Sequence, residues 1–181
     1  SGRKFLESFK KDFWLDLKIN DIPQTALSAV DSLKDLKRCK YITVHANGGF
    51  EMLKAVKKKA QSVSKDLKIL GVTVLTSLNN KSLKQIGYSK SVEQLVLKQC
   101  NLIKRSGCDG IVCSAREAKI VRKKYKNLFI VTPGVRLPSD SANDQLRITS
   151  PNEAFKNKVS GIVMGRSLIK GNIKNNIQRL I

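Results

Sequence analysis

The sequence has 181 residues, 41% of them hydrophobic and 27% charged, which excludes a disordered or fibrous protein and allows one domain with a substantial core. Lys and Arg total 35 against 14 Asp and Glu, for a net charge of +21. Such an excess can serve a nucleic-acid partner, because clustered cations release counterions from phosphates. The lysines are instead spread over almost every predicted helix, and no basic run alternates with aromatic residues, which disfavours nucleic-acid binding.

Cysteine usage and hydropathy indicate the compartment. The four cysteines include no C-x-x-C pair, which is typical of a reducing environment and predicts a cytoplasmic protein. No apolar run approaches the roughly 18 residues of a membrane span, so no membrane partner is predicted. The chain begins without a methionine and enters a helical pattern at Phe5 and Leu6. We therefore expect an N-terminal portion to be missing.

Strand and helix patterns alternate along the chain. Short runs rich in apolar and β-branched residues predict buried strands; they lie at 13–19, 41–45, 69–75, 110–113, 128–131 and 161–164. Amphipathic segments between them predict helices; the clearest are 26–36, 50–63, 92–103 and 118–125. This order predicts an α/β fold with a parallel sheet.

Polar or glycine-rich clusters follow the end of nearly every predicted strand, as in Ala46-Asn47-Gly48-Gly49 and Thr132-Pro133-Gly134. No Gly-x-Gly-x-x-Gly fingerprint follows the first strand. Both features favour a (β/α)8 TIM-type barrel, in which these ends meet on one catalytic face. The sequence supplies about six of the eight units of such a barrel. We expect residues 1–181 to form a single barrel domain.

The first strand carries the most informative chemistry. Asp16 and Lys18 are two residues apart, so in a regular strand both side chains point to the barrel interior, and Asp21 follows on the loop. One interpretation is a buried structural ion pair. The other is an alternating charge array at the catalytic face, in which Lys18 stays protonated beside carboxylates and donates a proton.

Two later strand ends are suited to phosphate. Gly165 and Arg166 end the last predicted strand, and Arg136 follows Thr132-Pro133-Gly134-Val135 after the preceding one. Backbone N–H groups and a guanidinium bind an oxyanion well, although each arginine alone is equally typical of a surface charge. The only histidine, His45, has no second ligand at metal-binding spacing, so we predict a structural histidine, no metal and no cofactor.

Taken together, these motifs resemble bacterial orotidine 5′-phosphate decarboxylases over essentially the whole chain. The segments that carry the resemblance are Leu15-Asp16-Leu17-Lys18-Ile19-Asn20-Asp21-Ile22-Pro23-Gln24-Thr25, Thr43-Val44-His45-Ala46-Asn47-Gly48-Gly49, Val131-Thr132-Pro133-Gly134-Val135-Arg136, Asp144-Gln145-Leu146-Arg147 and Val163-Met164-Gly165-Arg166. Met164 and Ser167 stand where the family more often has Val and Pro. The family's first two strands, which bring a ribose contact and a second catalytic lysine, have no counterpart here.

The resemblance implies decarboxylation of orotidine 5′-monophosphate to UMP in de novo pyrimidine synthesis, by a homodimer with shared sites and no cofactor. It implies that Asp16 presses on the substrate carboxylate and that Lys18 protonates C6 of the pyrimidine. Asp21 would reach into the partner subunit's site. The other implied substrate contacts are Ile22 and Thr25 at the dimer interface, Thr76 and Ser77 at the pyrimidine, Pro133 in its strand-end motif, and Arg136, Gln145, Gly165 and Arg166 at the phosphate.

Two alternatives remain open at the level of sequence. The Asp-x-Lys-x-x-Asp strand is shared with sister phosphosugar decarboxylases and aldolases, which would need a divalent metal. The chain could also be a non-catalytic remnant that binds a nucleotide or a nucleic acid through its positive charge. Metal dependence of activity separates the first alternative from the main prediction, and strongly salt-dependent RNA binding without bond cleavage would identify the second.

Overall fold

The computed structural model describes residues 2–137 and 149–180. The strands are β1 (Phe13–Ile19), β2 (Cys39–His45), β3 (Lys68–Val72), β4 (Gly110–Val112), β5 (Phe129–Thr132) and β6 (Gly161–Ile162). The helices are α1 (Gly2–Glu7), α2 (Pro23–Asp31), α3 (Gly49–Val63), α4 (Asn80–Gln85), α5 (Val92–Arg105), α6 (Ala115–Lys124), α7 (Pro151–Lys156), α8 (Arg166–Ile169) and α9 (Ile173–Gln178). A 3-10 turn, Ala46–Gly48, joins β2 to α3.

The strands form one six-stranded sheet in sequence order, β1 to β6. β1 pairs with β2, β2 with β3 and β5 with β6, each in parallel. A helix follows each strand, as parallel pairing of consecutive strands requires. The prediction of an α/β fold with a parallel sheet is confirmed, and β1 has the predicted bounds.

Most other elements begin or end one to several residues away from their predicted bounds, and two of these differences are informative. β3 ends at Val72, although Val74 is buried as well. α2 begins at Pro23, whose fixed φ suits the first helical position, and ends at Asp31, before Leu33 and Leu36, which are buried in the turns that follow. In both places the apolar pattern correctly predicted burial. It does not distinguish a residue buried in a turn from one in a regular element.

Contacts divide the chain into two compact units, and each is described separately. The first comprises Ser1–Thr73 and Lys98–Ile111. Within this unit β2 lies between β1 and β3, and its residues Ile42, Thr43 and Val44 are completely buried. The side chains of Met52, Leu53 and Val56 on α3 and Ala26 and Val30 on α2 complete the buried core. A strand buried on both faces holds its two neighbours in register, which fixes the position of β1.

The second unit comprises Val74–Leu97 and Val112–Ile181. Its core includes Val121 on α6, Ile130 and Val131 on β5, and Ala154 on α7, all buried. β5 and β6 are short, and residues expected to bind phosphate follow their carboxyl ends. A single domain over the whole chain stays a prediction.

Candidate active site

The first strand departs from regular geometry at its two charged residues. Leu15 pairs with Ile42 and Ile19 pairs with Val44, so the three residues 16–18 stand opposite Thr43 alone. The backbone therefore bulges at this point, and Lys18 adopts a φ of 50°. A non-glycine residue in this left-handed region costs about 1–3 kcal/mol, which the surroundings must offset. The alternation of a regular strand does not describe how Asp16 and Lys18 are brought together.

Thr43 fills the break in the ladder with its side chain. Its hydroxyl oxygen accepts a hydrogen bond from the Lys18 backbone N–H at 2.9 Å. The same hydroxyl donates to Asp16 Oδ1 at 2.7 Å. The Thr43 side chain is completely buried, so its position is set by the core of the first unit. One hydroxyl therefore holds both the bulged backbone of Lys18 and the carboxylate of Asp16.

The two charged side chains form a close ion pair. Lys18 Nζ lies 2.5 Å from Asp16 Oδ2, and the side chains are 43% and 49% exposed. The sequence interpretation of a buried pair is wrong in this respect, because the bulge places both groups at the carboxyl end of β1, where solvent reaches them. An ammonium group held in this way can donate a proton to a carbon placed next to it.

His45 ends β2 close to this pair. Burial lowers the pKa of its imidazole, and the positive charge of Lys18 lowers it further, against an opposing effect of Asp16. Its Nδ1 is buried and has no hydrogen-bond partner among the described residues. A neutral ring is expected near pH 7, in keeping with the predicted structural role.

The residues predicted to cross a dimer interface are all exposed. Asp21 lies on the turn after β1 and accepts a hydrogen bond from the Ile22 backbone N–H at 2.7 Å. Ile22 is 66% exposed, which is unusual for a large apolar side chain, and Thr25 is exposed in the first turn of α2. The three side chains lie on one short segment, and Pro23, at the start of the helix, limits its backbone freedom.

In the second unit, the predicted substrate contacts follow the ends of strands or precede short helices. Thr76 and Ser77 form a turn ahead of α4 and are half-buried and exposed, respectively. Pro133 follows β5 and is half-buried. Gly165 and Arg166 are exposed and begin α8. Ser77, Gly165 and Arg166 are thus accessible to solvent.

Arg136 differs from Arg166 in its surroundings. It is only 6% exposed, and its Nη1 donates to the carbonyl of Val135 at 3.3 Å. Its Nε is buried without a hydrogen-bond partner among the described residues. The assignment of Arg136 to the phosphate stays a prediction. Gln145 lies outside the described residues.

Thr43 is the residue of this site that the sequence did not single out. It stands in the run Ile42-Thr43-Val44, where a buried polar side chain must find a hydrogen-bond partner. That requirement was the available signal, but the partners depend on a register shift that has no sequence signature.

Among the described residues, no group of three or more His, Cys, Asp and Glu could hold a metal ion. No helix in the described ranges is long and apolar enough to cross a membrane.

Comparison with known proteins decides the family. The sequence model described as "Orotidine 5'-phosphate decarboxylase / HUMPS family" matches residues 2–177. This chain belongs to that family. An orotidine 5'-phosphate decarboxylase of Buchnera aphidicola is 40% identical over 99% of the chain and 76% of its own length, and one of Staphylococcus epidermidis is 39% identical over 93% and 75%. The chain thus spans about three quarters of the length of these relatives.

Solved structures agree with the fold assignment of this family member. The crystal structure of an orotidine 5'-phosphate decarboxylase from Lactobacillus acidophilus matches with a TM-score of 0.80 and 30% identity, over 93% of this chain and 73% of the other. An uncharacterized conserved protein from Geobacillus kaustophilus matches with a TM-score of 0.78 and 28% identity, over 93% and 74%. The predicted fold class, a (β/α)8-type barrel of which the described residues form six strands, is confirmed, as is the family resemblance.

Proposed function

We propose that this family member is a carbon–carbon lyase that converts orotidine 5′-monophosphate to UMP and CO2 in de novo pyrimidine synthesis. The observation that carries the proposal is the Asp16–Lys18 pair, held by Thr43 at the carboxyl end of β1. The family match over residues 2–177 supports it. The proposed reaction requires neither a metal nor an organic cofactor. We also propose a cytoplasmic location, on the basis of the family match.

The chemical problem is the electron pair left behind. When the bond between C6 and the carboxylate breaks, CO2 leaves and the pair stays on C6, where no conjugated group accepts it. The ammonium of Lys18 stabilises this charge as it develops and then transfers a proton from Nζ to C6, which gives UMP. Lys18 is suited to this role because the bulge and Thr43 fix its backbone, so the donor needs little reorganisation.

In this proposal Asp16 acts on the substrate carboxylate that leaves as CO2. Its carboxylate would lie against the departing carboxylate of the substrate, and the repulsion between like charges is relieved as neutral CO2 forms. The hydrogen bond from Thr43 holds Asp16 in place at 2.7 Å, so the carboxylate does not simply turn away. Asp16 also pairs with Lys18 Nζ at 2.5 Å, which holds the proton donor in place.

The other predicted contacts would hold the rest of the nucleotide. Gly165, Arg166 and Gln145 would bind the phosphate, with Arg136 nearby. Thr76 and Ser77 would contact the pyrimidine ring, with Pro133 nearby. Binding energy from the phosphate, which is remote from C6, can be used to position the ring for reaction. The exposure of Gly165 and Arg166 supports this assignment.

The direct test uses protein expressed from its natural gene. Purified enzyme is incubated with orotidine 5′-monophosphate in excess EDTA, and UMP and CO2 are quantified. We expect full turnover with the chelator present. Activity that EDTA abolishes and Mg²⁺ restores would instead assign the chain to the metal-dependent phosphosugar branch. The absence of turnover with and without metal would contradict the proposal.

We further propose a homodimer in which Asp21, Ile22 and Thr25 enter the partner's site. Their common exposure on one rigid segment supports this arrangement, and a two-fold dimer would contain two shared sites. The test mixes inactive Lys18→Ala and Asp21→Ala variants. Random exchange makes half of the dimers mixed, each with one intact site, so about a quarter of wild-type activity should return. Mixtures that stay inactive despite proven subunit exchange would contradict shared sites.

A further inference from the structure

A strongly basic groove lies in the second unit, where β5 and β6 begin. It is a cavity of about 440 Å³ between the carboxyl ends of α6 and α7. Six cations line it, namely Lys119, Arg122, Lys123, Lys126, Lys156 and Lys158, together with Asn157. Lys126 precedes β5 and Lys158 precedes β6, whereas Pro133 and Gly165 follow the other ends of the same strands. We refer to this cavity as the basic groove.

The shape of the basic groove is fixed by contacts that leave the lysines available. Arg122 donates from its guanidinium to the backbone carbonyls of Lys158 at 3.0 Å, Lys126 at 2.7 Å and Leu128 at 2.7 Å. The Asn157 amide donates to the Ala115 carbonyl at 3.0 Å. Arg122 therefore ties together the segments that enter β5 and β6. It serves as a wall of the groove, and the lysines provide its free charge.

The charge of the basic groove is not balanced by carboxylates. None of its five lysines forms an ion pair with another described residue. The acidic residues of the two bordering helices are in the first turns, at the far ends. There Glu117 contacts the Ser114 hydroxyl and Glu153 accepts from Thr149. The groove thus concentrates positive charge around a concave space.

Favourable interaction with helix ends explains only part of this arrangement. Lys123 and Lys156 lie in the last turns of α6 and α7, where the helix dipole favours cations. Lys119 lies in the middle of α6, and Lys126 and Lys158 lie beyond the two helices. Lys158 also has a φ of 56°, in the left-handed region that a lysine rarely occupies. Lys119, well before the last turn, gains nothing from a helix end, yet it faces the same cavity.

We propose that the basic groove binds a compact anion that carries several phosphate groups. Ammonium groups are point charges that attract phosphate oxygens, and several around one cavity favour closely spaced phosphates. The volume is in the range of small-molecule sites, about 300–1,000 Å³. Among the described residues, no aromatic side chain lines the groove, so these residues offer no stacking surface for nucleobases. Its ligand is therefore recognised by charge and spacing, at the ends of β5 and β6 opposite to Pro133 and Gly165.

The test compares two variants with the same loss of charge. The groove variant replaces Lys119, Lys123 and Lys126 with Gln. The control variant replaces Lys58, Lys65 and Lys98, which are exposed and lie in the first unit. Each triple removes two helical lysines and one in a turn just after a helix. Calorimetric titration with inorganic tripolyphosphate, at about 50 and 150 mM salt, measures the affinity of both variants and of the wild type.

We expect the groove variant to bind tripolyphosphate at least about tenfold more weakly than the wild type, and the control to stay within about threefold. Both triples should keep the wild-type melting temperature and decarboxylation rate, so failure here is distinguishable from failure of the proposed function. Equal weakening in the two triples would show that only net charge matters and would overturn the proposal. A 12-nucleotide single-stranded RNA forms a second arm. Loss of RNA binding in the groove variant alone, without any tripolyphosphate binding, would also overturn it.

Discussion

Replacing Thr43 with Val tests whether one buried hydroxyl organises the active site. Valine has nearly the same shape, so the core stays filled, but the hydrogen bonds to Lys18 and Asp16 are lost. The Lys18 N–H then faces a methyl group inside a bulge that has no alternative ladder partner. A buried donor left without a partner costs about 1–3 kcal/mol. Because solvent reaches Asp16, water replaces part of the second bond, and a loss of about 1–2 kcal/mol in unfolding free energy is expected.

The effect on catalysis should be larger than this stability loss suggests. Without Thr43, the Lys18 backbone can relax from its φ of 50° and shift Nζ relative to C6. A displacement of about 1 Å in a positioned group costs on the order of 100-fold in rate. We expect kcat to fall between about tenfold and 100-fold. KM should change little, because the phosphate contacts lie elsewhere.

The matched control is Thr43→Ser, which keeps the hydroxyl and removes the methyl group. It should lose about 1 kcal/mol of stability through reduced apolar burial and retain most of the wild-type kcat. Steady-state decarboxylation and urea unfolding of both variants separate the two effects. A Thr43→Val enzyme with wild-type kcat, or a Thr43→Ser enzyme as slow as Thr43→Val, would refute the positioning role.

Three further outcomes follow from other contacts. Arg166→Ala should raise KM for the nucleotide by at least about tenfold through loss of phosphate binding, with little effect on the turnover of a phosphate-free nucleoside. Steady-state kinetics on both substrates measure this difference, and an equal loss of activity on the two substrates would indicate that Arg166 supports the fold. Asp109→Ala should lower the unfolding free energy in urea by about 3–5 kcal/mol, because the carboxylate binds Lys57 Nζ at 2.8 and 2.7 Å and accepts from the Ile69 N–H. Burial lowers the pKa of His45 below 6.5, so the unfolded chain takes up that proton first and stability should drop as pH falls below about 6.5. The unfolding free energy of His45→Gln, measured in urea, should not show this drop below about pH 6.5. A pH dependence identical to that of the wild type would rule out a contribution from His45.

Local sequence pattern predicted the architecture because burial and periodicity are local properties. The bounds of β1 were correct, and all six strands were found in order. The pattern overran at β3, because a residue such as Val74 is buried without continuing the strand. Apolar character indicates that a residue is buried. Whether that residue belongs to a strand depends on backbone pairing with residues far away in the sequence, which the local pattern does not show.

The site was predicted by residue type more fully than by geometry. Asp16 and Lys18 were expected to meet because a regular strand repeats every two residues, whereas they meet through a bulge that leaves both half-exposed. The role of Thr43 depends on that register shift, which no residue of β1 signals by itself. The burial of Arg136 was likewise invisible, since burial of a charged side chain depends on the surrounding packing.

Lys18→Ala tests the central proposal most directly, because Lys18 is the one group assigned to stabilise and protonate the C6 carbanion. Release of CO2 from carboxyl-labelled orotidine 5′-monophosphate is measured together with UMP affinity by calorimetry. Decarboxylation should fall by at least about a thousandfold, while UMP affinity stays within about threefold of wild type because the phosphate contacts are intact. CO2 release within about tenfold of the wild-type rate, with normal UMP binding, would show that another group supplies the proton and that the Asp16–Lys18 pair is structural.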